Sequence, residues 1–182
     1  MTNSQIHYSP TNGAVNNFSA QFLKEKNEKG SYTFSDSSSK SDIFTLANAF
    51  LSFESMTNKK LQKLCYYAKA WYLAIYDENI IPEPFQAWVH GAVNPELYHR
   101  FKEYGFEKIP QVRNTRDIPE EFLSFAKEVY DAYGHLSGDE LESLNHQEEP
   151  WIKAREGYKP WENSNVIISE NDMKEYYRKM IE

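Results

Sequence analysis

The sequence has a single cysteine, Cys65, and no apolar run long enough to cross a membrane. One cysteine excludes an internal disulfide bond and a cysteine-rich zinc site. The polar N-terminus also lacks the apolar core of a signal peptide. We therefore expect a soluble, cytoplasmic protein in which Cys65 is a buried, inert thiol.

The sequence also lacks the common motifs of catalysis. The motifs G-x-x-x-x-G-K-[ST], G-x-G-x-x-G and G-x-S-x-G are absent, and no two of the five histidines are four residues apart. That spacing is the one by which a helix presents two zinc ligands. We expect no enzyme activity, no cofactor and no metal. The alternative left open is a metal-dependent hydrolase or nuclease that uses His146 with Glu148 or Glu149.

Basic residues are outnumbered, with 20 Lys and Arg against 27 Asp and Glu, for a net charge of -7. The excess belongs to residues 41–182, which hold 16 basic and 24 acidic residues. Such a charge disfavours DNA and anionic membranes as partners and suits a basic protein. We expect no membrane partner, and a DNA-binding autorepressor is the weaker alternative.

The chain divides into an N-terminal arm, residues 1–40, which is rich in Ser and Asn, and a domain, residues 41–182. In the domain, apolar residues recur at steps of three and four, which is typical of helices. Candidate N-cap residues are Asp42, Thr57, Asn94, Asp117, Ser137 and Ser169. We predict an all-α, compact single-domain bundle around a central helix of residues 57–76. It has at most a minor β-hairpin, near residues 85–90.

Two blocks of the sequence resemble the signature of a known family. The first comprises LQKLCYYA at 61–68, Trp71, and AWVHGAVNPELY at 87–98. The second comprises Glu140-Leu141, Leu144-Asn145-His146 and Pro150-Trp151. In this order they resemble the Panacea domain of the SocA-like antitoxins, which are often labelled phage-associated proteins. The family usually has Gly-Pro-Val where this chain has Gly91-Ala92-Val93, and Thr at position 145, but the turn glycine is kept.

The resemblance implies an antitoxin of a bacterial or prophage toxin–antitoxin system. It would bind the toxin encoded by the adjacent gene and hold it inactive by direct protein–protein contact. One branch of the family instead delivers its toxin to a AAA+ protease, and this adaptor role is the alternative. The expected partner is therefore the cognate toxin. A AAA+ protease and a second copy of the chain are further candidates.

A toxin-binding surface should combine an aromatic anchor with charges that steer the encounter. The candidates in the domain are Lys59, Lys60, Lys63, Trp88, His90, Asn94, Tyr98, His146 and Trp151. Those in the arm, which resembles the variable N-terminal additions of such antitoxins, are Phe18, Phe22 and Leu23. Packing within the bundle is the competing interpretation for each. For the three lysines it is a solvated charged face with Glu54 as partner.

Overall fold

The structure is a computed structural model that describes residues 42–181. Within this range the helices are α1 (Ile43–Phe53), α2 (Asn58–Tyr76), α3 (Pro95–Phe101), α4 (Glu120–Tyr133), α5 (Gly138–Asn145), α6 (Glu149–Ala154) and α7 (Glu170–Arg178). A 3-10 helix, Lys102–Tyr104, follows α3. Two antiparallel pairs of very short strands accompany them: β1 (Met56–Thr57) with β4 (Lys108–Ile109), and β2 (Gln86–Trp88) with β3 (Gly91–Val93). The predicted all-α class is confirmed. The arm lies outside the described residues.

Helix α2 is the centre of the bundle, as predicted. It packs against α1, α4, α5 and α7, and its residues 61–75 are all buried. Two aromatic contacts hold this arrangement: Tyr67 stacks on Tyr133 with ring centroids 4.3 Å apart, and Trp71 meets Tyr177 edge-on at 5.0 Å. The indole of Trp71 also donates a hydrogen bond to the hydroxyl of Tyr133, 2.9 Å away. A helix buried on every side is organised by its neighbours and has no solvent face.

Five of the six predicted N-caps are confirmed. Each accepts a hydrogen bond from the backbone N–H three residues later: Asp42, Thr57, Asn94, Ser137 and Ser169. The prediction for Asp117 is wrong, because α4 begins at Glu120 after Pro119 without a side-chain cap. A proline disfavours the helical conformation in the residue before it, so Ile118 cannot easily start the helix.

The β2–β3 hairpin is joined to the chain before α7. Gln86 forms an isolated bridge with Ile167, and the N–H of Ala87 donates to the carbonyl of Val166 over 2.9 Å. On its other side the hairpin lies against α2 and α5. It is therefore held between the centre of the bundle and the C-terminal segment.

Cys65 is buried in α2, and burial raises the pKa of its thiol well above the usual value. This is the inert thiol that the sequence predicts. Among residues 42–181, no helix combines the length and the apolar character that a membrane crossing requires.

Candidate functional site

The two motif blocks meet inside the molecule, where the β2–β3 hairpin crosses α2. Lys63 Nζ donates to the carbonyl of Ala92 over 3.1 Å, and Asn145 Oδ1 accepts from the N–H of Ala92 at 2.7 Å. Gly91 makes this approach feasible, because a Cβ there would lie 2.6 Å from Lys63 Cε and 2.8 Å from Asn145 Oδ1. The hairpin backbone is thus bonded from both sides by side chains of the signature.

A second set of bonds ties the end of the hairpin to α2. Gln62 Oε1 accepts from the N–H of Asn94 at 2.8 Å, and Gln62 Nε2 donates to the carbonyl of Asn94 at 3.2 Å. The Asn94 side chain accepts from the N–H of Leu97 and donates to the carbonyl of Pro84, each over 2.9 Å. Asn94 therefore uses its polar atoms within the domain and caps α3 as predicted.

A buried carboxyl extends this network towards α7. Glu148 Oε2 accepts from Tyr177 Oη at 2.8 Å, from Asn145 Nδ2 at 3.1 Å and from Tyr67 Oη at 3.3 Å. Burial raises the pKa of Glu148 to about 7, although these hydrogen bonds oppose the shift. Burial likewise lowers the pKa of Lys63 to about 7. We call these hydrogen-bonded residues, Gln62, Lys63, Tyr67, Asn94, Asn145, Glu148 and Tyr177, the motif network.

Lys59, at the N-terminal end of α2, is paired with acidic residues of α5. Its Nζ lies 2.8 Å from Asp139 Oδ1 and 2.7 Å from Glu142 Oε2. The other oxygen of Glu142 lies 3.0 Å from His90 Nδ1. Burial alone would raise the pKa of Glu142, but Lys59 and His90 outweigh it and hold that pKa below its usual value. Glu142 is therefore an ionised carboxylate on α5 that pairs with both α2 and the hairpin.

The other two lysines differ from each other. Lys60 forms an ion pair with Glu54, the partner expected in the packing interpretation, and donates to the carbonyl of Gly134 over 2.7 Å. For Lys63 the expected solvated face is wrong, because its side chain is only 1% exposed. The hairpin and α5 both pack over this part of α2, which leaves Lys63 no path to solvent.

The candidate aromatic residues lie together at the hairpin. Trp151 Nε1 donates to the carbonyl of Trp88 over 3.1 Å, and the rings of Trp151 and His146 stack with centroids 4.2 Å apart. Trp88 in turn meets Tyr98 edge-on at 5.1 Å. Burial lowers the pKa of His146, which favours the neutral ring in this stack. Residues 88–98 and 146–151, predicted as one surface, are therefore neighbours.

An open groove runs beside these aromatic residues. Its walls are formed by Trp88, Val89 and His90 on the hairpin and by Trp161, Asn163, Ser164 and Asn165 on the loop before α7. Trp161 is 74% exposed. Sequence reasoning assigned no functional role to this loop or to Arg155, which holds it, because loop residues carry no periodic pattern. The only signal was a tryptophan after a proline in a polar segment.

The predicted site residues thus fall into three groups. His90 and Tyr98 are exposed; Lys59, Lys60, Trp88, His146 and Trp151 are half-buried; Lys63 and Asn94 are buried. Phe18, Phe22 and Leu23 lie outside the described residues. Toxin contact by any of them stays a prediction. Lys63 and Asn94 are inaccessible in this conformation.

The alternative hydrolase or nuclease site requires a metal ion held by His146 with Glu148 or Glu149. Across residues 42–181, no three His, Cys, Asp or Glu side chains are grouped so that they could hold a metal ion. His146 stacks on Trp151, whereas Glu148 accepts hydrogen bonds from tyrosines of the core. Glu149, the other carboxylate of that alternative, pairs with Lys153 over 3.0 Å, so the three residues serve separate contacts.

Comparison with known proteins gives one match. The profile of a family described as Antitoxin SocA-like, Panacea domain, matches residues 61–152, just over half of the chain. The matched span runs from α2 to α6 and includes every member of the motif network except Tyr177. Searches of curated proteins and of solved structures gave no match. By this match, and by the two signature blocks that the fold brings together, the chain belongs to the Panacea-domain family of SocA-like antitoxins.

Proposed function

We propose that this chain is the antitoxin of a bacterial or prophage toxin–antitoxin pair and acts in the cytoplasm without enzymatic activity. It neutralises the toxin encoded by the adjacent gene by binding it directly. Membership of the SocA-like antitoxin family is the observation that carries this proposal.

The geometry supports a binding role. The motif network uses its polar atoms on the protein's own backbone and side chains, so that it fixes the hairpin relative to α2 and α5. Aromatic and charged groups then stand at the surface around that hairpin, with Trp88, His90 and Tyr98 among them. A rigid scaffold that presents aromatic side chains is typical of a protein interface.

Co-expression tests the proposal. The product of the adjacent gene, expressed alone from an inducible promoter, should arrest growth, and co-expression of the full chain should restore it. The two proteins should then co-purify through a tag on either one. A neighbour that is harmless when expressed alone, or a rescue without co-purification, would contradict direct neutralisation.

Two variants in the same assay separate the arm from the domain. One lacks residues 1–40, and the other carries Lys59→Glu and Lys60→Glu together. We expect the arm deletion to weaken rescue if Phe18, Phe22 and Leu23 contact the toxin. We expect the charge reversal to weaken it if the N-terminal end of α2 does. Full rescue by both variants would place the contact at the hairpin and its surroundings.

The level of the toxin distinguishes neutralisation by binding from the adaptor alternative. A toxin that is held inactive accumulates in the rescued cells, whereas a toxin delivered to a AAA+ protease is depleted. An immunoblot of tagged toxin measures this level directly. It is run in wild-type hosts and in hosts without the major AAA+ proteases. Rescue that fails in the protease-deficient hosts would replace our proposal with the adaptor role.

A further inference from the structure

The loop that presents Trp161 is built as a fixed turn. The N–H of Glu162 donates to the carbonyl of Lys159 over 3.0 Å, and Pro160 occupies the second position of this four-residue turn. Proline at that position restricts the backbone before folding and so favours the turn. Trp161 follows as the third residue, with its side chain in solvent.

A buried arginine fastens this turn to the hairpin. Arg155 is 6% exposed, and its Nη2 donates to the carbonyls of Lys159 at 3.0 Å and Glu162 at 2.6 Å. Its Nη1 donates to the carbonyl of Ala87 in β2 over 2.9 Å. Burying a guanidinium carries a large desolvation penalty unless its donors are satisfied, and here backbone carbonyls satisfy them.

The buried guanidinium of Arg155 thus fixes a turn whose tryptophan, Trp161, is exposed to solvent. Trp161 is 74% exposed, so its ring adds little to the core of the described domain. A large aromatic side chain on a rigid support loses little conformational freedom when a partner covers it. Such preordered aromatic residues are typical hot spots of protein interfaces.

The groove also joins two parts of the chain with different relations to the family. Its hairpin wall, with Trp88 and His90, lies within the family match, whereas its loop wall, with Trp161, lies beyond residue 152 where the match ends. The groove is therefore formed by residues of the matched span together with residues outside it.

We propose that this groove is the surface on which the cognate toxin docks, and that it receives an extended basic segment with an arginine or lysine side chain against the indole of Trp161. The inference rests on the function proposed above and adds the location and the chemistry of the contact. The acidic excess of residues 41–182 would steer such a segment towards the domain.

The indole rings at this end of the molecule already attract cations. Lys159 Nζ lies 5.9 Å from the ring centroid of Trp161, and the guanidinium of Arg155 lies 5.2 Å from that of Trp151. Tryptophan is the aromatic residue that attracts cations most strongly. A cation of the partner would take the place that the exposed side chain of Lys159 now occupies. The amides of Asn163 and Asn165 offer donors and acceptors to an extended backbone.

Binding of purified proteins tests the inference. The full chain is titrated with the product of the adjacent gene, and Trp161 is replaced by Ala, Phe or Leu. We expect Trp161→Ala to weaken binding by about thirtyfold or more, the loss typical of an aromatic hot spot. Phe should retain more affinity than Leu because it keeps a ring for the cation. The association rate should fall as salt is added.

Phe106→Ala is the matched control, because Phe106 is 97% exposed and does not line the groove. It should bind as the wild type does. All Trp161 variants should melt at the wild-type temperature, since the side chain makes little contact with the fold. Wild-type affinity in Trp161→Ala would overturn the inference and leave the proposed function intact. Equal affinities of the Trp161→Phe and Trp161→Leu variants would overturn the proposal that a cation of the partner lies against the ring. A wild-type chain that neither binds nor rescues would refute the function itself.

Discussion

Gly91→Ala should be among the most damaging single-methyl changes in this domain. Gly91 has a φ of 93°, a conformation that residues with a Cβ adopt at a cost of about 1–2 kcal/mol. The added Cβ would also lie 2.6 Å from Lys63 Cε and 2.8 Å from Asn145 Oδ1. Both neighbours are buried and bonded to the same hairpin, so neither can withdraw freely.

The size of the effect follows from these two contacts. Forcing a methyl group into a packed site costs about 1–3 kcal/mol. If Asn145 moves away, the N–H of Ala92 loses its partner inside the protein, which costs about 1–3 kcal/mol more. With the backbone strain of about 1–2 kcal/mol, we expect Gly91→Ala to lower the free energy of unfolding by about 3–8 kcal/mol. A typical domain has only about 5–15 kcal/mol in total.

Gly157→Ala is the matched control for the backbone term. Gly157 has a similar φ of 86°, but a Cβ there would meet nothing within 4 Å. Gly157→Ala should lower the free energy of unfolding by only about 1–2 kcal/mol, which is the backbone strain alone. Urea unfolding followed by far-ultraviolet circular dichroism measures both variants. Equal losses at the two glycines would refute the argument that Lys63 and Asn145 enclose the hairpin turn.

Two further predictions concern the titration of buried groups in the motif network. The pKa of Glu148 is raised by burial to about 7 in the folded protein, so stability should fall as pH rises from about 4.5 to 7. Glu148→Gln should lack this loss, which amounts to about 3 kcal/mol, in urea unfolding at pH 5 and pH 8. The pKa of Lys63 is lowered to about 7, so wild-type stability should gain up to about 1.4 kcal/mol per unit as pH rises from 7 towards 10.5. Lys63→Met should show a flatter profile over that range, and parallel profiles would contradict the lowered pKa of the Lys63 amine.

The helical class and most helix starts could be predicted because their signals are local. A capping side chain bonds to a backbone group three residues away, so Thr57, Asn94 and Ser137 are recognisable from their immediate neighbours. The prediction that Asp117 caps a helix failed because the conformational effect of Pro119 overrode the capping pattern.

The environment of the central helix could not be read from its pattern. The apolar stripe through Leu61, Leu64 and Ala68 indicates one buried face, yet residues 61–75 are buried all round. The sequence places Lys63 on a solvated charged face and Gln62 outside the apolar stripe. Both are buried because they bond to backbone groups of Ala92 and Asn94, some thirty residues away, which no local pattern reveals.

The motif blocks located the network but could not divide it into structural and surface residues. Asn94 and Trp88 belong to the same block, and the first caps α3 inside the domain while the second lines the groove. The loop wall of the groove had no signal beyond the tryptophan after a proline, since its conformation depends on Arg155 and the carbonyls it binds. Side-chain direction in irregular segments follows from tertiary contacts and not from sequence spacing.

The affinity of the purified full chain for the purified product of the adjacent gene tests the central claim most directly. Isothermal titration calorimetry should give a saturable stoichiometric complex with a dissociation constant below about 1 μM. The same complex should abolish the toxin's activity in vitro without any added protease or nucleotide. Absence of binding at tens of micromolar, from a neighbour that does arrest growth, would contradict neutralisation by direct contact.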